Sequence, residues 1–130
     1  MQAQRDSLIF FSVFQNDVDF NINVENSLNY YEQLKEQIDV VRYLGKYKGV
    51  KEMSFCINAK DWDKVKDIVG VTKQESILHV SGDRDATLIY MDKRPDAMIG
   101  KFKAIDWTQL ENRVEDYSYN PFNQQYFAVV

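Results

Sequence analysis

Apolar positions along the chain change period several times, and each change marks an element. "SLIFFSVF" (7–14) is apolar at nearly every position, which predicts an inner strand covered on both faces. Val18, Phe20, Ile22 and Val24 then alternate with Asp17, Asp19, Asn21 and Asn23, the period of an edge strand or extended loop with one buried face. Leu28, Tyr31, Leu34 and Ile38 recur at helical spacing and predict a first helix over 26–38, capped by Asn26 or Ser27. Two strands follow over 40–47 and 50–57, reversing near "KYKG"; Met53, Phe55 and Ile57 share one face, and Glu52, Ser54 and Cys56 the other.

A second helix is predicted over 59–69. Asn58 is its N-cap, Ile57 and Trp62 form a hydrophobic staple, and Gly70 is the C′ residue. "ESILHVSGDRDATLIYMD" predicts a hairpin turning at "GDRD", with Val80 opposite Thr87 and His79 opposite Leu88. A strand over 97–105 bends at Gly100, and a third helix starts at Asp106, with Ile105 and Leu110 as its staple. The last residues, "QQYFAVV", read as a strand. Two hairpins among interleaved helices predict one α+β domain over 1–130, with 117–130 an aromatic C-terminal segment. Its sheet is mixed or mainly antiparallel, with about three helices packed on one face.

Composition narrows the functional classes. The 130 residues are 45% hydrophobic and 28% charged, those of a folded domain. A chain of this length needs neither a disulfide nor a metal to fold, and Cys56, its one cysteine, can make no intrachain disulfide. A net charge of −4 argues against a nucleic-acid partner. The segment before "QNDVD" has too short an apolar core for a signal peptide, and no apolar run approaches a membrane span, so a cytoplasmic location and no membrane partner are expected.

Few residues point to chemistry. His79 lies near Asp83, Asp85 and Asp92, but a metal would need further ligands and the acids do not follow a calcium-loop spacing. On the predicted register His79 points away from the turn, and the acids serve the turn backbone. Cys56 with His79 is a conceivable cysteine pair, although Cys56 falls mid-strand. No nucleophile elbow or phosphate loop occurs. No catalytic residue, metal or cofactor is therefore assigned. Tyr117, Tyr119, Phe122 and Tyr126 cluster in the tail, where aromatics suit a partner interface as well as a core.

"ENSLNYYEQLKE", "YLGKYKGVKEMSFCI" and "KQESILHV" together resemble a domain-of-unknown-function family of small bacterial and phage proteins, over roughly residues 8–92. On that resemblance Asn26, Gly45, Glu52 and Gln74 take the family's characteristic positions. It implies a small α+β fold and a polar surface or pocket shared by Asn26, Glu52, Gln74 and Glu75. The resulting expectation is a small intracellular regulator, a phage accessory or anti-defence factor that binds and modulates a host protein. A nucleotide- or small-molecule-binding protein or enzyme with a carboxylate and amide pocket is the first alternative, and a virion assembly subunit the second.

Overall fold

A computed structural model describes residues 6–47, 50–105, 117–121 and 124–129. The strands are β1 (Leu8–Ser12), β2 (Val40–Tyr47), β3 (Val50–Asn58), β4 (Ser76–Val80), β5 (Asp85–Tyr90), β6 (Ala97–Ile105), β7 (Tyr117–Asn120) and β8 (Gln125–Val129). They close into one antiparallel barrel in the order β1-β3-β2-β7-β8-β6-β5-β4, with β1 also pairing β4. The helices are α1 (Phe20–Leu34) and α2 (Lys66–Val71), the latter preceded by a 3-10 turn over Ala59–Lys64.

The expectation of an α+β sheet with three helices on one face is thus corrected to a mainly β closed barrel. The physical reason is edge satisfaction. Among the described residues each strand pairs on both sides, so the described sheet has no open edge. The tail supplies the closing strands. β7 pairs β2, and β8 pairs β6. The third helix predicted from Asp106 lies outside the described residues.

Strand alternation divides the core in two. Phe10, Tyr43, Cys56, Val80, Ala86 and Phe102 pack together with Phe127 inside the barrel. Phe10 meets Tyr43 at 5.1 Å and Phe102 at 5.0 Å, and Phe102 stacks on Phe127 at 5.2 Å. An eight-stranded barrel has room for such a plug and little more. On the outer face Ile9, Phe11, Met53, Phe55, Ile57 and Ile77 pack with Leu34, Val65 and Val69 of the helical segments. These are the residues of β3 expected to share a face.

α1 begins six residues before the predicted 26–38 helix, at Phe20, and takes in most of the alternating stretch assigned to an edge strand. Its buried positions are Asn23, Ser27 and Leu34, whereas Ile22 is 49% and Leu28 37% exposed. The helical stripe is therefore partly polar, which hid its period. Asn23 is buried because it makes a full set of bonds. Its Nδ2 donates to the Gln15 and Val18 carbonyls at 3.0 and 3.2 Å, and its Oδ1 accepts from the Gln15 amide at 2.9 Å. Neither Asn26 nor Ser27 caps the helix, since Asp19 holds the N-cap position.

Asn58 accepts from the Lys60 amide at 3.0 Å as expected of a cap, but the first turn it caps is 3-10. Gly70 lies within α2, and Thr72 is the C-cap, so the predicted C′ glycine is displaced.

Candidate functional site

The β4–β5 hairpin pairs His79 with Thr87 and Val80 with Ala86, one residue away from the predicted register. A one-residue slip turns a strand over. Val80 and Ala86 point into the barrel, while His79 shares the outer face with Ile77 and, across β1, Ile9. Cys56 is inside the barrel, so the wall of the sheet separates it from His79. Burial pushes the Cys56 thiol up to about 12, against a smaller opposing effect of the Arg84 charge. A thiol so held is a poor nucleophile.

Two acids of the same stretch, Asp85 and Asp92, meet cations. Asp85 pairs with Lys101 at 2.6 Å, and Asp92 with Arg94 at 2.9 Å. Hydrogen bonds from Arg94 hold the Asp92 carboxyl below its ordinary value. Among the described residues no three His, Cys, Asp or Glu side chains gather to hold a metal ion.

A cavity of about 290 Å³ opens elsewhere, beside the β2–β3 hairpin. Its walls come from three parts of the chain. Phe14, after β1, and Phe20 and Val24 of α1 form one; β2 and β3 contribute Leu44, Gly45, Lys51, Glu52 and Met53; β7 and β8 contribute Tyr117, Tyr119 and Tyr126. Register sets which positions share a side: Gly45, Glu52 and Ser118 lie on the barrel side, and Leu44, Met53, Tyr119 and Tyr126 on the outer side. Gly45 lies opposite Glu52 on β3 and opposite Ser118 on β7, and Leu44 lies opposite Tyr119, which in turn lies opposite Tyr126. With glycine as its partner, Glu52 has no side chain across from it on β2.

Glu52 is the one carboxylate among the described lining residues. Burial alone raises its carboxyl from the ordinary value to about 7. No hydrogen bond or ion pair to a described residue offsets that cost. On the outer side Tyr126 packs with two rings, 4.7 Å from Tyr119 at 34° and 5.8 Å from Tyr117 at 59°. On the opposite wall Phe14 meets Phe20 edge-on at 5.8 Å. The Asn23 bonds to Gln15 and Val18 fix the turn that carries both phenylalanines. Gln74 adds a further tie, its Nε2 donating to the Phe14 carbonyl at 2.9 Å.

Of the four residues expected to share a polar pocket, only Glu52 lines the cavity. Gln74 acts from behind the wall. Glu75 is exposed and paired with Arg94 at 3.0 Å, and Asn26 is half-buried on α1 without joining the lining. Tyr117, Tyr119 and Tyr126 stand on the cavity wall, and Phe122 lies outside the described residues. Strand alternation keeps them apart: the tyrosine rings stand on the outer side with Leu44 and Met53, and the Glu52 side chain is on the barrel side with Cys56. Phe14, Phe20 and Lys51 carried no sequence signal for the cavity. Phe20 in particular was hidden by its placement on an alternating strand.

The S-Adenosylmethionine lyase family model matches residues 9–130, and the chain belongs to that family. No curated protein matches the chain. The match extends through the tail, beyond the 8–92 span of the sequence resemblance, and it replaces the domain-of-unknown-function assignment with a family of stated chemistry. It also overturns the expectation of a non-catalytic protein-binding regulator and favours the enzyme and small-molecule alternative. No helix among the described residues is long and apolar enough to cross a membrane.

Proposed function

We propose that this member of the S-adenosylmethionine lyase family cleaves S-adenosylmethionine in the cavity that the β2–β3 hairpin and the tyrosine wall line. One observation carries the reading: a cavity walled by three aromatic rings, in a chain of that family. The substrate bears a sulfonium cation, an ammonium group and a carboxylate. A buried anion and aromatic faces are complementary to the two cations. At about 290 Å³ the cavity is near the lower end of small-molecule sites, room for the sulfonium and the amino-acid arm.

A lyase breaks the carbon–sulfur bond without water. Glu52, poised at about 7, is too weak a base to take a proton from an unactivated carbon. Ring closure needs no such base. An oxygen of the substrate's own carboxylate bonds to the carbon that bears sulfur, the carbon–sulfur pair passes to sulfur, and a neutral thioether nucleoside leaves together with a five-membered lactone. Atoms balance with no proton moved. Holding an intramolecular nucleophile in line is worth a large effective molarity.

The negative carboxylate and positive sulfonium both lose their charge in this step. A site with apolar walls such as Phe14, Val24 and Met53 therefore favours the transition state over the ion-paired ground state. Glu52, ionised on the barrel side of β3, adds a negative potential that favours the substrate's cations and leaves the substrate carboxylate free to attack. Chromatography with mass spectrometry of S-adenosylmethionine incubated with the purified chain tests the proposal. The expected result is a thioether nucleoside and a lactone in equal amounts. A folded chain that leaves the substrate intact would overturn it.

A further inference from the structure

The two phenylalanines of the cavity wall lie outside the barrel strands. Phe14 follows β1, and Phe20 is the first residue of α1. Phe14 is tied to its surroundings on both sides of its backbone. Its N–H donates to Ser12 Oγ at 3.0 Å, and its carbonyl accepts from Gln74 Nε2 at 2.9 Å. α1 is pinned toward its far end, where Leu34 is buried and Tyr31 stacks on Phe55 at 6.3 Å. Its first turn carries Phe20, which is exposed. Asn23 joins this turn to Phe14. It is 5% exposed and bonds both the amide and the carbonyl of Gln15, the residue after Phe14, as well as the Val18 carbonyl. That pattern needs two donors and an acceptor on one short side chain, which only asparagine supplies. Aspartate has the same shape, but when ionised it would face two carbonyls with no donor. A fully satisfied buried polar network fixes one arrangement of the backbone it bonds. Here it fixes the edge-on meeting of Phe14 and Phe20 at 5.8 Å.

We infer that Asn23, which does not line the cavity, is a positioning residue for it: through the Gln15–Val18 turn it holds Phe20 against Phe14 and so sets the shape of that wall. The kinetic consequence rests on the reading of this cavity as the lyase site; the ring contact does not. Without the Asn23 bonds the first turn of α1 is released while Phe14 stays tied by Ser12 and Gln74, so the two rings part. A substrate in the widened cavity is held less tightly and less often in line for ring closure, and a small misplacement is enough to slow such a step.

The test compares Asn23→Asp with the wild-type full chain at pH 8 and pH 5. Two quantities are read: the nuclear Overhauser contact between the Phe14 and Phe20 rings, and steady-state turnover of S-adenosylmethionine per folded molecule. At pH 8 the variant is expected to melt cooperatively, to lose the ring contact, and to show kcat/KM lower by about 10- to 100-fold with KM raised. At pH 5 a carboxyl buried beside two carbonyls takes up a proton and donates again. The ring contact should then return, and the ratio of variant to wild-type kcat/KM should recover several-fold. If Asn23→Asp does not fold at pH 8, Asn23→Ser, which keeps a hydroxyl but is too short to span the bonds, takes its place. A folded variant that keeps the ring contact would overturn the inference. So would a fall in kcat that follows the unfolded fraction with KM unchanged, because Asn23 would then serve stability alone. The outcome is separable from the lyase reading. A wild-type chain that leaves S-adenosylmethionine intact ends that reading, and the ring contact then decides the role of Asn23. A wild-type chain that cleaves S-adenosylmethionine, with a variant of unchanged KM and ring contact, ends only the inference.

Discussion

Two regions of this barrel gather acidic side chains, and they treat them differently. Around the β4–β5 hairpin, Asp85 and Asp92 lie at the surface beside Lys101 and Arg94, at 2.6 and 2.9 Å. At the β2–β3 hairpin, Glu52 is half-buried, faces no described cation and is pushed up to about 7 by burial. Paired surface charges contribute little to stability and are satisfied before any ligand arrives. A buried unpaired carboxylate costs folding free energy, and a cationic ligand can relieve that cost. The hairpin with the histidine draws the eye in the sequence, but the chemistry is assigned to the other one.

Several perturbations sharpen that contrast. Removing residues 117–130 has the largest expected effect, because β7 and β8 close the barrel between β2 and β6. The truncated chain should lose its cooperative thermal transition in calorimetry; a retained sharp melt would show that the tail is dispensable to the fold.

Glu52→Gln comes next. It should lower kcat/KM for S-adenosylmethionine by about 100-fold, in line with the loss of one preorganised charge. In the wild-type chain kcat/KM should rise with pH through about 7 as the carboxyl ionises, and the rise should be absent from the variant. A variant with an unchanged rate would return Glu52 to the status of an ordinary strand residue.

The same variant should gain stability while it loses activity. The folded carboxyl holds its proton more tightly than the unfolded one. The contribution of Glu52 is therefore fully present below its ordinary value near 4.5 and is lost as pH rises through about 7. Above that range the ionised group destabilises the fold, and Glu52→Gln should be more stable by about 1–3 kcal/mol at pH 8, with the gap closing toward pH 4.5. Urea titrations of the two proteins at both pH values would show a constant gap if burial of the charge were not the cause.

The smallest effects belong to the first hairpin. Asp85→Asn and Asp92→Asn should each cost about 0–1 kcal/mol in the same titrations, since their ion pairs are half-exposed. His79→Gln should leave turnover of S-adenosylmethionine unchanged, and a selective loss of activity in a folded variant would move the site toward β4.

Much of the strand content was legible. β1, β2, β3, β6 and β8 lie close to the predicted segments because their periods are those of strands buried on one or both sides. Closure was not legible, since which strand joins β1 to β4 and β7 to β2 is a long-range fact that periodicity does not carry. α1 was misplaced at its start because Asn23 and Ser27 occupy buried positions while Ile22 and Leu28 do not. The slipped β4–β5 register followed from counting the turn by one residue too many, which put His79 against the wrong neighbours. Glu52 and the tail tyrosines were visible as residues of interest, but only the barrel brings them to one cavity.

A crystal structure of Glu52→Gln soaked with S-adenosylmethionine tests the central claim most directly, since the variant turns over slowly enough to trap the substrate. Density is expected in the cavity, with the sulfonium against the faces of Tyr119 and Tyr126 and the amino-acid arm along the β2–β3 hairpin. Substrate bound along the β4–β5 hairpin, with the Glu52 cavity empty, would contradict it.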